Sequence, residues 1–103
     1  VRERNIEAYL RDQVRKAGGT AYKWVSPGNN GVPDRIVVMP GGRVKFVELK
    51  APGKKPTQLQ QVQHERLRAL GFDVRVIDSC EGVDDLIKEL TIGELAAATH
   101  PNT

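Results

Sequence analysis

Asp34 closes the run Gly31-Val32-Pro33-Asp34, and Glu48-Leu49-Lys50 begins fourteen residues after it. Two carboxylates brought together repel unless they share a cation, and their oxygens suit a hard divalent ion such as magnesium or manganese. An ion held there polarises a phosphodiester and lowers the pKa of an attacking water. The ammonium of Lys50 orients that water or stabilises the charge developing around phosphorus. The backbone carbonyl of Leu49 is a natural further ligand. Glu7 follows Ile6 on the shoulder of the first apolar stripe, from which it can lean inward as a third carboxylate. Gln60, in the opening turn of a later helix, is placed to hydrogen-bond a phosphate or a ligand. Metal-dependent hydrolysis of phosphodiester bonds is the chemistry this constellation implies.

Each part also has a plainer reading. A strand carboxylate with a lysine two positions away is commonly a solvated surface pair. Glu7 alone reads as an exposed helix residue, and Gln60 has a structural use in a capping box. His64 reads as a solvent-facing helix residue and Cys80 as a small buried hydrophobe. The acids from Glu81 to Asp85 suit the positive end of a helix macrodipole.

The elements decide whether the chemical parts meet. Ile6, Leu10, Val14 and Ala17 recur at helical spacing, so residues 3–17 read as a helix ended by Gly18-Gly19. A strand is expected over Thr20 to Val25, then a loop from Ser26 to Gly31. Ile36 to Met39 is a continuous apolar run, consistent with a strand buried on both faces. Pro40-Gly41-Gly42 turns the chain, and Arg43 to Lys50 returns as an alternating strand. If the turn centres on Gly41 or Gly42, the numbers of cross-strand partners sum to about 82–84, which sets Asp34 opposite positions 48 to 50. Glu48 and Lys50 share a face because strand side chains repeat every two residues. Thr57-x-x-Gln60 is a capping box opening a helix to about Leu70. Phe72 to Ile77 is a further strand, and a last helix runs from Gly82 or Val83 to about Leu90. The order αβββαβα is α/β, a mixed sheet flanked by helices, with the step from Lys50 to Ile77 a right-handed parallel crossover. Residues 1–90 form one domain, and residues 91–103 are expected to be a loosely held tail.

Bulk properties exclude several classes. The chain has 103 residues, enough for one domain with a modest core. No apolar run approaches the roughly 18 residues of a membrane helix, and no signal-peptide core is visible. Cys80 is the lone cysteine, so no disulfide framework is available and a reducing, intracellular setting is expected. One cysteine and the two distant histidines His64 and His100 make no zinc motif. The net charge of +3 is mildly basic. Setting Glu7, Asp34, Glu48 and Lys50 aside leaves a more cationic remainder. Of the other acids, Glu81, Asp84, Asp85, Glu89 and Glu94 gather toward the C-terminus, a distribution that fits a polyanion partner.

Taken together, Gly31-Val32-Pro33-Asp34-Arg35, Gly41-Gly42-Arg43, Phe46-Val47-Glu48-Leu49-Lys50-Ala51-Pro52-Gly53 and Thr57-x-x-Gln60 closely resemble the VRR-NUC family, virus-type replication and repair nucleases of the PD-(D/E)xK superfamily. The resemblance spans roughly residues 3–78. It implies a restriction-endonuclease-like fold and magnesium- or manganese-dependent cleavage of DNA. In that likeness Glu7, Asp34, Glu48 and Lys50 match the catalytic core, and Gln60 matches the helix motif that follows. Lys23 and Ser26 fall where the family places polar residues before its glycine loop. The compact layout is similar to stand-alone viral and bacterial members and to archaeal Holliday-junction resolvases. That implies a homodimer acting on branched DNA in replication, repair or recombination, in the cytoplasm of a bacterial host. Arg35, Lys54, Lys55 and the 26–31 loop with Asn30 are the expected DNA contacts, flanked by Arg2, Arg4, Arg11 and Arg15. The aromatic residues Tyr9, Tyr22, Trp24, Phe46 and Phe72 are few and better used in the core than in stacking on single strands. The main rival is a catalytically silent accessory module of the same fold. A purely structural domain and a sequence-specific restriction enzyme rank below it. A degenerate module would be expected to lack one of Asp34, Glu48 and Lys50, and all three are present.

Overall fold

The glycine pair at the reversal between two central strands sets the geometry of the hairpin. Gly41 and Gly42 both take positive φ, 82° and 75°, and so join two strands in a short turn. The computed structural model describes residues 2–99. Along the chain these form α1 (Glu3–Lys16), β1 (Thr20–Lys23), β2 (Arg35–Met39), β3 (Arg43–Leu49), α2 (Gln58–Ala69), β4 (Val74–Ile77) and α3 (Cys80–Thr99).

The four strands lie in one sheet in the order β1-β2-β3-β4. β1 to β3 are antiparallel neighbours, and β4 runs parallel to β3 after the α2 crossover. In the hairpin, partners run from Arg35↔Val47 to Met39↔Arg43, the low end of the expected register. The architecture is the α/β mixed sheet, in the element order, that the sequence implies.

Alternation along β3 sorts its side chains between two layers. Val47 and Leu49 enter a core with Ile6, Leu10 and Val14 of α1, Val37 and Met39 of β2, and Val83, Leu86 and Leu90 of α3. Each such side chain, removed from water, contributes roughly 1.5–3 kcal/mol. Phe46 and Glu48 face the other way, toward α2. There Phe46 packs between Trp24 and Phe72, at ring separations of 5.3 Å and 5.4 Å. Val37 and Met39 are buried while Ile36 and Val38 are only partly so, which makes β2 less symmetrically covered than its apolar run suggests.

Several boundaries differ from the sequence reading. β1 stops at Lys23, although Trp24 still donates its N–H to the Asp34 carbonyl at 2.8 Å. β4 begins at Val74, and Leu70 caps α2. α3 starts at Cys80 and continues past Leu90 to Thr99, so residues 91–99 are helical where a tail was expected. His100–Thr103 lie outside the described residues. Tyr22 and Phe72 are substantially exposed rather than spent on the core, and Cys80 is half-buried. No helix among the described residues is long and apolar enough to cross a membrane.

Candidate active site

Asp34 stands immediately before β2, and Glu48 and Leu49 end β3 beside it. The hairpin register brings these ends together. The Leu49 N–H donates to Asp34 Oδ2 at 2.8 Å, which fixes one carboxylate against the strand carrying the other. Glu48 is 1% exposed. Its Oε2 accepts from Gln60 Nε2 at 3.1 Å and lies 3.4 Å from Lys50 Nζ. Lys50 leaves the strand with its N–H bonded to the Ile77 carbonyl at 3.0 Å, so its side chain emerges from an anchored position.

Gln60 serves two masters. Its Oε1 accepts from the Thr57 N–H at 2.9 Å and its own N–H donates to Thr57 Oγ1 at 3.2 Å, which completes the capping box. The remaining amide nitrogen reaches Glu48. The structural and the chemical readings of this residue are therefore both realised. A glutamate, equally good for the box, would set a third negative charge against Glu48.

Burial and the adjacent Asp34 carboxylate push the Glu48 carboxyl up to about 7, against the opposing pull of Lys50. The folded value exceeds the ordinary 4.5, so the metal-free folded protein retains a proton that the unfolded chain has released. Its stability is expected to be highest below about pH 4.5 for this group and to decline as pH rises through about 7, by on the order of 3 kcal/mol. Urea unfolding in EDTA across this range, compared with Glu48→Gln, isolates the effect. The difference between the two proteins should grow with pH, and a flat difference would mean that burial does not penalise the charge.

His64 is buried, 1% exposed, and does not face solvent. It sits one helical turn beyond Gln60 on the side of α2 that covers the sheet, with Nε2 3.4 Å from Glu48 Oε1. Neither atom has a hydrogen-bond partner, and both are shut off from water. Burial lowers the His64 pKa, assisted by Arg68 and Lys50. The one signal in the sequence was its spacing of four from Gln60, which places both side chains on one helical stripe.

Glu7 and Arg35 are placed differently from Asp34 and Glu48. Arg35 is 8% exposed, its Nη2 lies 2.9 Å from Glu7 Oε1, and its Nη1 donates to the Ala21 carbonyl at 3.2 Å. As a DNA contact Arg35 is corrected: a guanidinium enclosed between α1 and β1 has no face left for phosphate. Glu7 is the partner of that cation. Among the described residues no three His, Cys, Asp or Glu side chains converge on one point, and the close carboxylates are Asp34 and Glu48. Lys23, Asn30, Lys54 and Lys55 are exposed, while Ser26 is half-buried with its Oγ accepting from Asn29 Nδ2 at 3.1 Å.

A buried carboxylate beside a second carboxylate and a lysine is a donor set suited to a hard divalent cation. No family model matches the chain. It is 58% identical over 79 residues to "Putative nuclease p44" of Acyrthosiphon pisum secondary endosymbiont phage 1, an alignment covering 77% of this chain and 85% of that one. A solved structure described as "VRR_NUC domain" is similar with a TM-score of 0.79 and 33% identity, over 85% of this chain and 97% of that chain.

Proposed function

Because this chain belongs to the VRR-NUC family of nucleases, we propose that it is a DNA endonuclease dependent on magnesium or manganese, with a preference for branched DNA such as Holliday junctions or flaps. The observation that carries this reading is the Asp34–Glu48 pair. Glu48 is buried and its pKa is raised toward neutrality by that burial and by Asp34, a state that a shared divalent cation relieves. Asp34, Glu48 and the Leu49 carbonyl would hold the ion, which would supply Lewis acidity at the phosphate and lower the pKa of a water.

The chain's own residues do the rest. Leu49 holds Asp34 through its N–H, and Gln60 holds the outer oxygen of Glu48, so both carboxylates are preorganised before substrate arrives. Lys50, with its side chain 15% exposed, keeps its ammonium at the edge of the pair, where it stabilises negative charge developing on a phosphate. Glu7 contributes through Arg35, the neighbour of Asp34 in the chain, whose guanidinium it holds. Lys23 at the end of β1, Ser26 and Asn30 in the loop that follows it, and Lys54 and Lys55 in the loop after β3 grip the DNA backbone. One domain of this size offers few phosphate contacts. A homodimer doubles them and sets two active sites on a branched substrate.

The test is cleavage of labelled four-way junction, flap and linear duplex DNA in magnesium, manganese or EDTA. Cutting in either metal, suppressed by EDTA and faster on the branched substrates, is the expected result. Binding of all three without cutting in any metal would leave an accessory module of the same fold.

A further inference from the structure

We propose that His64 is a positioning residue for Glu48, anchoring the inner oxygen of that carboxylate so that its outer oxygen stays turned toward Gln60 and Lys50. This inference rests on the reading of Glu48 as a metal ligand and adds a residue to it. Glu48 has two oxygens in unlike surroundings. Oε2 meets Gln60 and Lys50, both at the open side of the site. Oε1 points inward, unpartnered, and the polar atom facing it is His64 Nε2 at 3.4 Å, itself unpartnered. Two orphaned polar atoms facing each other inside a protein are a costly arrangement unless they complete a hydrogen bond. A Nε2–H tautomer gives the donor that the carboxylate needs.

Packing holds the ring where this requires. His64 is the buried residue of α2, while the apolar Leu59 and Val62 of the same helix are about half exposed. A helix that turns a histidine inward, beside the partly buried Leu67, and leaves Leu59 and Val62 outside brings His64 against the carboxylate. A glutamate with one oxygen bound from the interior has lost most of its rotational freedom, and a ligand so constrained binds a metal more tightly than a free one.

The experiment compares wild type with His64→Leu, which fills the space without a donor, and His64→Gln, whose amide nitrogen reaches about as far as Nε2. Thermal melting in increasing manganese chloride, without DNA, gives the concentration for half-maximal stabilisation. His64→Leu should raise that concentration roughly tenfold or more, and His64→Gln should return it to within about threefold of wild type. Should the leucine protein fail to fold, His64→Asn takes its place, since its amide stops short of Glu48. Equal shifts in the donor and donorless variants, or no shift in either, overturn the proposal while a responsive wild type leaves the metal reading intact. A wild type that gains no stability from manganese removes both.

Discussion

Asp34→Asn and Lys50→Met will each lower DNA cleavage by about 10²–10³-fold or more, and they will move stability in opposite directions. The asparagine keeps an oxygen for the Leu49 N–H, so the junction between β2 and β3 is preserved. What it removes is the charge that helps push the Glu48 carboxyl up to about 7. The metal-free Asp34→Asn protein should therefore be more stable than wild type at and above neutral pH, and inactive. Lys50→Met keeps the aliphatic stem but deletes the cation that favours ionised Glu48. Its metal-free stability should fall over the same range. Initial cleavage rates on the substrate that wild type cuts, set beside urea unfolding in EDTA, give both readouts. A fold defect would lower activity and stability together in both proteins. Shared loss of activity with divergent stability is the signature of two charges working on one reaction. Retention of more than a tenth of wild-type activity by either variant would remove that residue from the chemistry.

The pairing behind this prediction is legible in the sequence, because a two-glycine turn fixes hairpin register and register fixes which strand ends meet. Asp34 and Glu48 were found through Gly41 and Gly42 as much as through their own identity. The orientation of α2 was not legible. Its apolar residues are sparse, and Leu59 and Val62 lie outward while Gln60 and His64 turn to the sheet. A reading by hydrophobic periodicity therefore inverts the helix. Arg35 was misread for a related reason. A lone basic residue next to a candidate metal-binding carboxylate suggests phosphate, and only the packing of α1 brings Glu7 and encloses the guanidinium. The length of α3 was missed by treating small residues as a tail. Ala96, Ala97 and Ala98 are strong helix formers whatever their size.

Gly31→Ala is expected to cost roughly 3 kcal/mol or more of stability and most of the activity. Gly31 takes a φ of +93°, where a side chain is strained, and a Cβ there would lie 2.9 Å from the Leu59 carbonyl oxygen and 3.1 Å from the Gln60 nitrogen. Those are backbone atoms in the first turn of α2, so relief requires the helix itself to move. Gln60 would move with it, and its amide is what holds the outer oxygen of Glu48. Gly28→Ala is the control: φ is +80° and nothing lies within 4 Å, so only the backbone term of about 1 kcal/mol applies. Urea unfolding separates the two proteins by stability, and cleavage assayed well below their melting temperatures separates them by geometry. If Gly31→Ala cuts as fast as Gly28→Ala while both remain folded, the contact between the glycine loop and α2 does not position the site. A selective loss in Gly31→Ala would tie the loop preceding Asp34 to Glu48 through a single helical turn, making the glycine a spacer for both carboxylates.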